Sequence, residues 1–205
     1  MSRVYLRVPK KHDMHHRKEW FEDKATMEYN SGYASSMIGY DYQTGIISQP
    51  LKSHQDWLVD WINQEPRKFY AFIMEKETDF PIGEAYFYFS QQDGIHHMGI
   101  LLDAKYRNQG LGKEAILELE KIAFENNHIR ALTDVVPFNR ESAIYAFKNA
   151  GFHQNKVIHG LRFNKDEENA ELVITKEYYE KKIAKNKAKT EDDNDNVLEF
   201  KNLNF

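Results

Sequence analysis

Residues 97–112 read His97-Met-Gly-Ile-Leu-Leu-Asp-Ala-Lys-Tyr-Arg107-Asn-Gln-Gly110-Leu-Gly112, and an amphipathic segment follows directly. An apolar, strand-like run enters a polar loop, and the loop opens a helix over 112–126 with Ala115, Ile116, Leu119, Ile122 and Ala123 on one face. The first N–H groups of a helix have no internal partner and lie at the positive end of its dipole, which makes such a junction a place for phosphate. Gly110 and Gly112 remove the side chains that would block a close approach of ligand to backbone. The G-K-[ST] ending of a nucleotide P-loop is absent, and so is the G-x-G-x-x-G dinucleotide pattern.

Upstream of this junction, Phe69–Met74, Ile82–Phe89 and Ile95–Leu102 read as strands, the last two joined by a hairpin turn at Gln91–Gly94. Downstream, Ala131–Val136 is a strand stopped by Pro137, and 140–150 is a helix closed by Gly151 with Phe152 after the cap. Lys156–Phe163 and Ala170–Thr175 make a final hairpin around Asn164–Asn169. Nearer the start, 3–8 is a short strand. Residues 14–30 form a helix burying Trp20, Phe21, Ala25 and Met27, and ending near Gly32. Ser53 and Asp56 give a capping-box pattern for a second helix over 54–63, ended by Pro66, with Trp57, Leu58, Trp61 and Ile62 together. The pattern predicts an α/β fold, with a mixed sheet of about seven strands and helices on both faces.

The 205 residues suit one domain, expected over 1–179, with acceptor-side helices at about 14–64, a cofactor core at 69–152 and the final hairpin at 156–175. From about 180, lysines and then Glu191, Asp192, Asp193 and Asp195 predict a charged, flexible tail. Its apolar end, 197–205, would serve a homodimer contact as well as simple fraying. No run reaches the length of a membrane span or signal peptide, so the expected setting is cytoplasmic and away from membranes. A net charge of −4 disfavours a nucleic-acid partner. With no cysteine, thiolate nucleophiles, disulfides and Cys-ligated zinc are excluded. His12, His15 and His16 lack further ligands and read as the polar start of a segment, so no metal is expected.

A second stretch, Asn139-Arg-Glu-Ser142-Ala-Ile-Tyr145-Ala-Phe147-Lys-Asn-Ala-Gly151-Phe152, lies in register behind the first. Together the two resemble the cofactor motifs of the GNAT superfamily of acyl-CoA N-acyltransferases. The resemblance runs over about 3–179, tightest over 95–152. It looks most like the branch with ribosomal-protein-alanine acetyltransferases and small-molecule relatives. It implies acetyl-CoA as cosubstrate. Its diphosphate would lie on the backbone of Asn108, Gln109, Gly110, Leu111, Gly112 and Lys113, with Arg107 or Lys113 adding charge. Two central strands, here 95–102 and 131–136, would splay to admit the pantetheine arm as a pseudo-strand. N–H groups near Ile100, Leu101 and Leu102 would polarise the thioester carbonyl. Asn139 would bond the arm from the other side, with Ser142 and Phe147 in the same motif.

An alkylammonium of pKa about 10.4 needs about 4–5 kcal/mol to become a neutral nucleophile at pH 7. The position of the family's frequent glutamate base is His97 here, an imidazole suited to that proton transfer; Glu84 on the preceding strand is the rival. Where many members carry a tyrosine acid, four residues before the Gly-Phe glycine, this chain has Phe147. Tyr145 is the nearest substitute, about 200° around the helix. Tyr29, Tyr33, Tyr40 and Tyr42 suggest an aromatic wall for the acceptor or core packing, and Asp41 a draw for a cation. The resemblance implies acetyl transfer to a primary amine of a small molecule, in a ternary complex. A protein N-terminus or lysine is the first alternative acceptor. A non-catalytic acyl-CoA-binding module, favoured by Phe147, is the second alternative.

Overall fold

The structure, a computed structural model, describes residues 2–32, 35–159 and 168–188. Its strands are β1 (Val4–Arg7), β2 (Lys68–Glu75), β3 (Phe80–Phe89), β4 (His96–Leu102), β5 (Ala131–Pro137), β6 (His153–His159) and β7 (Glu168–Thr175). They form one seven-stranded sheet in the order β1-β2-β3-β4-β5-β7-β6. All neighbours pair antiparallel except β4 and β5, which run parallel. The near-continuous apolar run of β2 follows from burial on both faces. Phe69, Ala71 and Ile73 join one core, while Tyr70, Phe72 and Met74 join the other.

Helices cover the two faces. On one lie α4 (Leu111–Lys121), extended by a π-helical turn at Ile122–Asn126, and α5 (Glu141–Ala150). Leu111, Ala115, Ile116 and Leu119 of α4 fall on one stripe and are buried there. On the other face lie α1 (Met14–Glu22), α2 (Lys24–Met27) and α3 (Leu51–Val59), over a core that includes Trp20, Phe21, Met27 and Leu58.

The single helix expected over 14–30 is broken at Asp23, whose extended backbone (ψ 117°) starts a new turn while its side chain accepts the Thr26 N–H at 2.8 Å. The break rotates the following residues, so Thr26 and Met27 are buried and Ala25, expected inside, is exposed. Pro50, not Ser53, stands at the start of α3, since its fixed φ (−57°) and missing N–H suit a helix entrance. The helix then ends at Val59, well before Pro66.

Past β7 the described chain continues as a helix. Residues 176–188 are helical (α6), so the described part of the tail begins as packed structure. Tyr179 is buried and donates its hydroxyl to Glu125 Oε1 at 2.6 Å. Lys182 pairs with Glu120 of α4 and donates to the Ala150 carbonyl at 2.6 Å, closing the end of α5. The acidic run, the apolar end at 197–205 and residues 160–167 lie outside the described residues; of the loop expected at Asn164–Asn169, Glu168 and Asn169 belong to β7.

Candidate active site

The parallel pairing of β4 and β5 stops almost as soon as it starts: His96 opposes Leu132, His97 opposes Thr133, and no further pair follows. On its other edge β4 stays in unbroken register with β3 from His96 to Leu102. The Asp103 N–H donates to the Ile82 carbonyl, which continues that register. Main-chain groups alternate between the two edges of a strand, so Leu101 and Gly99 face β3 while Met98, Ile100 and Leu102 face the widening gap. The Leu101 carbonyl bears this out, lying where a Cβ on Gly83 of β3 would be, at 2.1 Å. Of the three N–H groups expected at a thioester, the Ile100 and Leu102 groups are available and the Leu101 group is turned away.

At the wide end of the gap the loop from Arg107 enters α4. Asn108 (φ 60°) and Gly110 (φ 80°) both take the left-handed conformation, which curls the chain around a concave backbone surface. Leu111, Gly112 and Lys113 are the first residues of α4, so their N–H groups are unused by the helix and point into that concavity. A Cβ on Gly112 would make ordinary contact with Leu102 and Ile100 side chains, so the bare Gly110 is the stricter requirement. The loop fits an oxygen-rich diphosphate.

Arg107 does other work than expected. Its guanidinium donates to the Leu102 carbonyl (3.1 and 3.0 Å), the Thr26 carbonyl (2.6 Å) and the Ala25 carbonyl (3.2 Å). It staples the end of β4 to α2 rather than presenting its charge to the cradle. Arg140, at the N-cap of α5 three residues beyond β5, donates to the Tyr29 carbonyl at 2.5 Å and lies 4.7 Å from that ring. Segment 25–29 is therefore tied to the end of β4 and to the start of α5. Gln109 presents its side-chain amide to the Lys105 carbonyl at 2.9 Å. The second cofactor motif supplies Asn139 and Ser142, both exposed at the start of α5.

On the α1–α3 face, cross-strand pairs Tyr88–His97, Tyr86–Gly99 and Glu84–Leu101 line up beside the gap. The His97 ring stacks on Tyr88 at 5.6 Å and its Nε2 meets Asp93 Oδ2 at 2.7 Å. A Cβ on Gly99 would lie 2.5 Å from the Tyr86 hydroxyl, so glycine there makes room for that ring. Burial, with help from Asp134 and Glu84, raises the Tyr86 hydroxyl far above its ordinary pKa. Burial likewise pushes Tyr29 to about 12, against the lowering effect of Arg140.

Glu84 is buried. Its Oε2 accepts from Arg17 Nε at 2.9 Å and from the Tyr70 hydroxyl at 2.6 Å. The Arg17 guanidinium sits 4.1 Å from the Phe21 ring centre and 4.0 Å from Trp57, and its Nη1 meets His54 Nδ1 at 2.9 Å. Burial, then the Arg17 charge, holds the His54 pKa down to about 4. Arg17, His54, Tyr86 and Asp134 had no signal in the sequence, because each acquires its place through partners distant in the chain.

Several expected residues are placed elsewhere. Tyr145 is 72% exposed and points away from the core, as its helical angle predicts, so it is no candidate acid. Phe147 is buried and packs edge-on against Phe152 at 5.0 Å, a core residue rather than a cofactor contact. Tyr40 donates to the Asn30 carbonyl at 2.5 Å and packs under the α1–α3 core, while Tyr42 is exposed. Asp41 caps its own loop, accepting the Gln43 and Thr44 N–H groups at 2.9 and 2.8 Å, which lowers its pKa. Tyr33 lies outside the described residues. Among the described residues no three His, Asp or Glu side chains gather as a metal site, and no helix is long and apolar enough to cross a membrane.

Comparisons with known proteins agree with this geometry. Solved structures with the same fold include the spermidine N-acetyltransferase from Vibrio cholerae in complex with CoA and spermine. It matches with a TM-score of 0.68 and 10% identity over 86% of this chain and 98% of that one. The aminoglycoside acetyltransferase AAC(6')-Ib, in complex with coenzyme A and kanamycin, matches with a TM-score of 0.64 and 19% identity over 87% of this chain and 98% of that one. A GNAT-family acetyltransferase from Bacillus anthracis gives 0.65 at 13% identity, covering 86% and 96%. No curated protein sequence matches. The family described as acetyltransferase (GNAT) domain matches residues 3–153, and the chain, an N-acetyltransferase by family and fold, belongs to it.

Proposed function

We propose that this acetyltransferase moves the acetyl group of acetyl-CoA to a primary amine of a small molecule, by direct attack within a ternary complex. The observation that carries the reading is the early end of β4–β5 pairing, which leaves the Ile100 and Leu102 N–H groups without a β5 partner beside the helix-opening loop. Acetyl-CoA, held there, supplies an activated thioester. The Ile100 and Leu102 N–H groups bond the arm and draw electron density onto the carbonyl oxygen. Asn108, Gln109, Gly110, Leu111, Gly112 and Lys113 hold the diphosphate, and Asn139 and Ser142 flank the arm from α5.

His97 accepts the proton that an alkylammonium must lose before its nitrogen can attack. Asp93 on one ring nitrogen leaves the other for that proton. Glu84 is less well placed as base, because its Oε2 is already engaged by Arg17 Nε and the Tyr70 hydroxyl. Tyr29 and Tyr86 supply the walls. A small acceptor is favoured over a protein because α1, α2 and α3 cover this face. With no cysteine in the chain, no thioester relay through the protein competes.

The experiment is thiol release from acetyl-CoA with a panel of polyamines, aminoglycosides, amino-acid amides and peptides. Turnover with a diamine or amino sugar supports the reading. Turnover confined to peptides transfers the activity to the protein-acetylating alternative, and tight binding of acetyl-CoA without turnover by any amine favours a binding module.

A further inference from the structure

Arg3 stands at the edge of the phosphate cradle, where nothing in the second-motif or loop pattern leads one to look. Its backbone N–H donates to Glu114 Oε2 at 2.6 Å, and its Nε and Nη2 donate to Glu114 Oε1 at 2.8 and 2.6 Å. The same Nη2 donates to the Gln109 carbonyl at 2.7 Å and would lie 3.4 Å from a Cβ on Gly110. One side chain just ahead of β1 thus grips both the loop and the first turn of α4. The contact borders a cleft lined by Ser2, Gly110, Lys113, Glu114 and Leu117.

Glu114 is the problem this contact answers. A carboxylate in the first helical turn is favourable for the bare helix, because it meets the positive end of the dipole. For an enzyme that must place a diphosphate at that same end, the carboxylate is a competitor: it repels the ligand and can fold onto the unpaired N–H groups. Bonding from Arg3 keeps Glu114 ionised, with its pKa lowered, yet spends that charge away from the cradle. The bond to the Gln109 carbonyl turns a second electron-rich oxygen outward.

We infer that Arg3 is a positioning residue for the cofactor, neutralising Glu114 and fixing the Gln109 peptide so that the loop 108–113 receives a diphosphate. This rests on the reading of that loop as a diphosphate cradle. Arg3→Met should weaken coenzyme A binding about fivefold by calorimetry, and adding Glu114→Gln should restore most of the loss, since the unneutralised carboxylate is then gone. Arg3→Lys, which keeps the charge and loses the fork, should fall between. KM for S-acetylpantetheine, which lacks the diphosphate, should not move in any of them. Wild-type affinity in Arg3→Met, or a loss undiminished by Glu114→Gln, overturns the inference. If the wild type itself binds coenzyme A no better than pantetheine, it is the cradle reading that fails, and with it this one.

Discussion

Arg17 Nε and Glu84 Oε2 meet at 2.9 Å inside the protein, with both side chains less than a tenth exposed. The pair joins α1 to β3, so it fixes the acceptor-side helices against the strand beside the gap. The guanidinium lies about equally close to the Phe21 and Trp57 rings, and the carboxylate is shared with Tyr70. Removing one partner leaves the other charged and buried. Arg17→Met should therefore destabilise the fold by about 3–5 kcal/mol, whereas Arg17→Met with Glu84→Leu should recover much of that. Denaturant titration of the two variants checks this; equal losses would show that the packing of Arg17, not the charge, matters.

His97→Ala should lower kcat by about 10²-fold or more, with little change in coenzyme A affinity. Asp93→Asn should have a smaller effect in the same direction, because an amide holds the ring less decisively in one tautomer. Steady-state kinetics with the best amine from the panel measures both. A fully active His97→Ala would remove His97 as base.

Two buried groups give the stability opposite pH slopes. His54 is held to about 4 by burial and Arg17, against an ordinary 6.5, so its share of stability is present above pH 6.5 and lost as pH falls from there toward 4. Glu120 is raised from 4.5 to about 7 by burial, despite Lys182, so its share is full below pH 4.5 and lost as pH rises through 7. Between 4.5 and 6.5 each changes by about 1.4 kcal/mol per pH unit, and they nearly cancel. Glu120→Gln should then expose a fall in melting temperature on acidification that the wild type lacks. His54→Gln should expose the reverse, a fall from pH 5 toward pH 7. Thermal melts across pH 4.5–7 read both, and parallel profiles for all three proteins would refute the assignment.

Gly99→Ala should damage the enzyme more than its size suggests. The added methyl would collide with the Tyr86 ring, which must shift from its place beside the gap. A raised KM for the amine, with unchanged coenzyme A affinity, is the expected pattern in kinetics and calorimetry. Unchanged KM would mean that Tyr86 does not face the acceptor.

The segment from His96 through α4 was legible because its signals are local: an apolar run, a glycine-bearing loop and a helical stripe within 30 residues of one another. The same holds for α5, closed by Gly151 (φ 114°). What escaped reading depends on contacts across the chain. The break at Asp23 turns on a single side chain choosing to cap Thr26, and Pro50 displaces a plausible cap at Ser53. Spacing alone does not distinguish Leu101 from Ile100; the β3 register fixes which edge each faces. Arg107 reads as a phosphate ligand in its motif, yet the carbonyls of residues 25 and 26 claim it. The charged stretch after 180 reads as solvated, but Lys182 finds Glu120 and the end of α5. Site chemistry assembled by distant pairs such as Arg3–Glu114 and Arg17–Glu84 leaves no trace in spacing.

In the proposed function, main-chain amides at the entrance to α4 grip the diphosphate of coenzyme A. Gly110 has φ +80°, so any side chain there is strained and stands at the mouth of the loop. Calorimetric titration of coenzyme A into the wild type and Gly110→Glu is the most direct test. Clear binding by the wild type and a loss of at least about tenfold in the variant are expected, with circular dichroism showing both folded. Equal affinities, or a folded wild type that binds no coenzyme A, would contradict it.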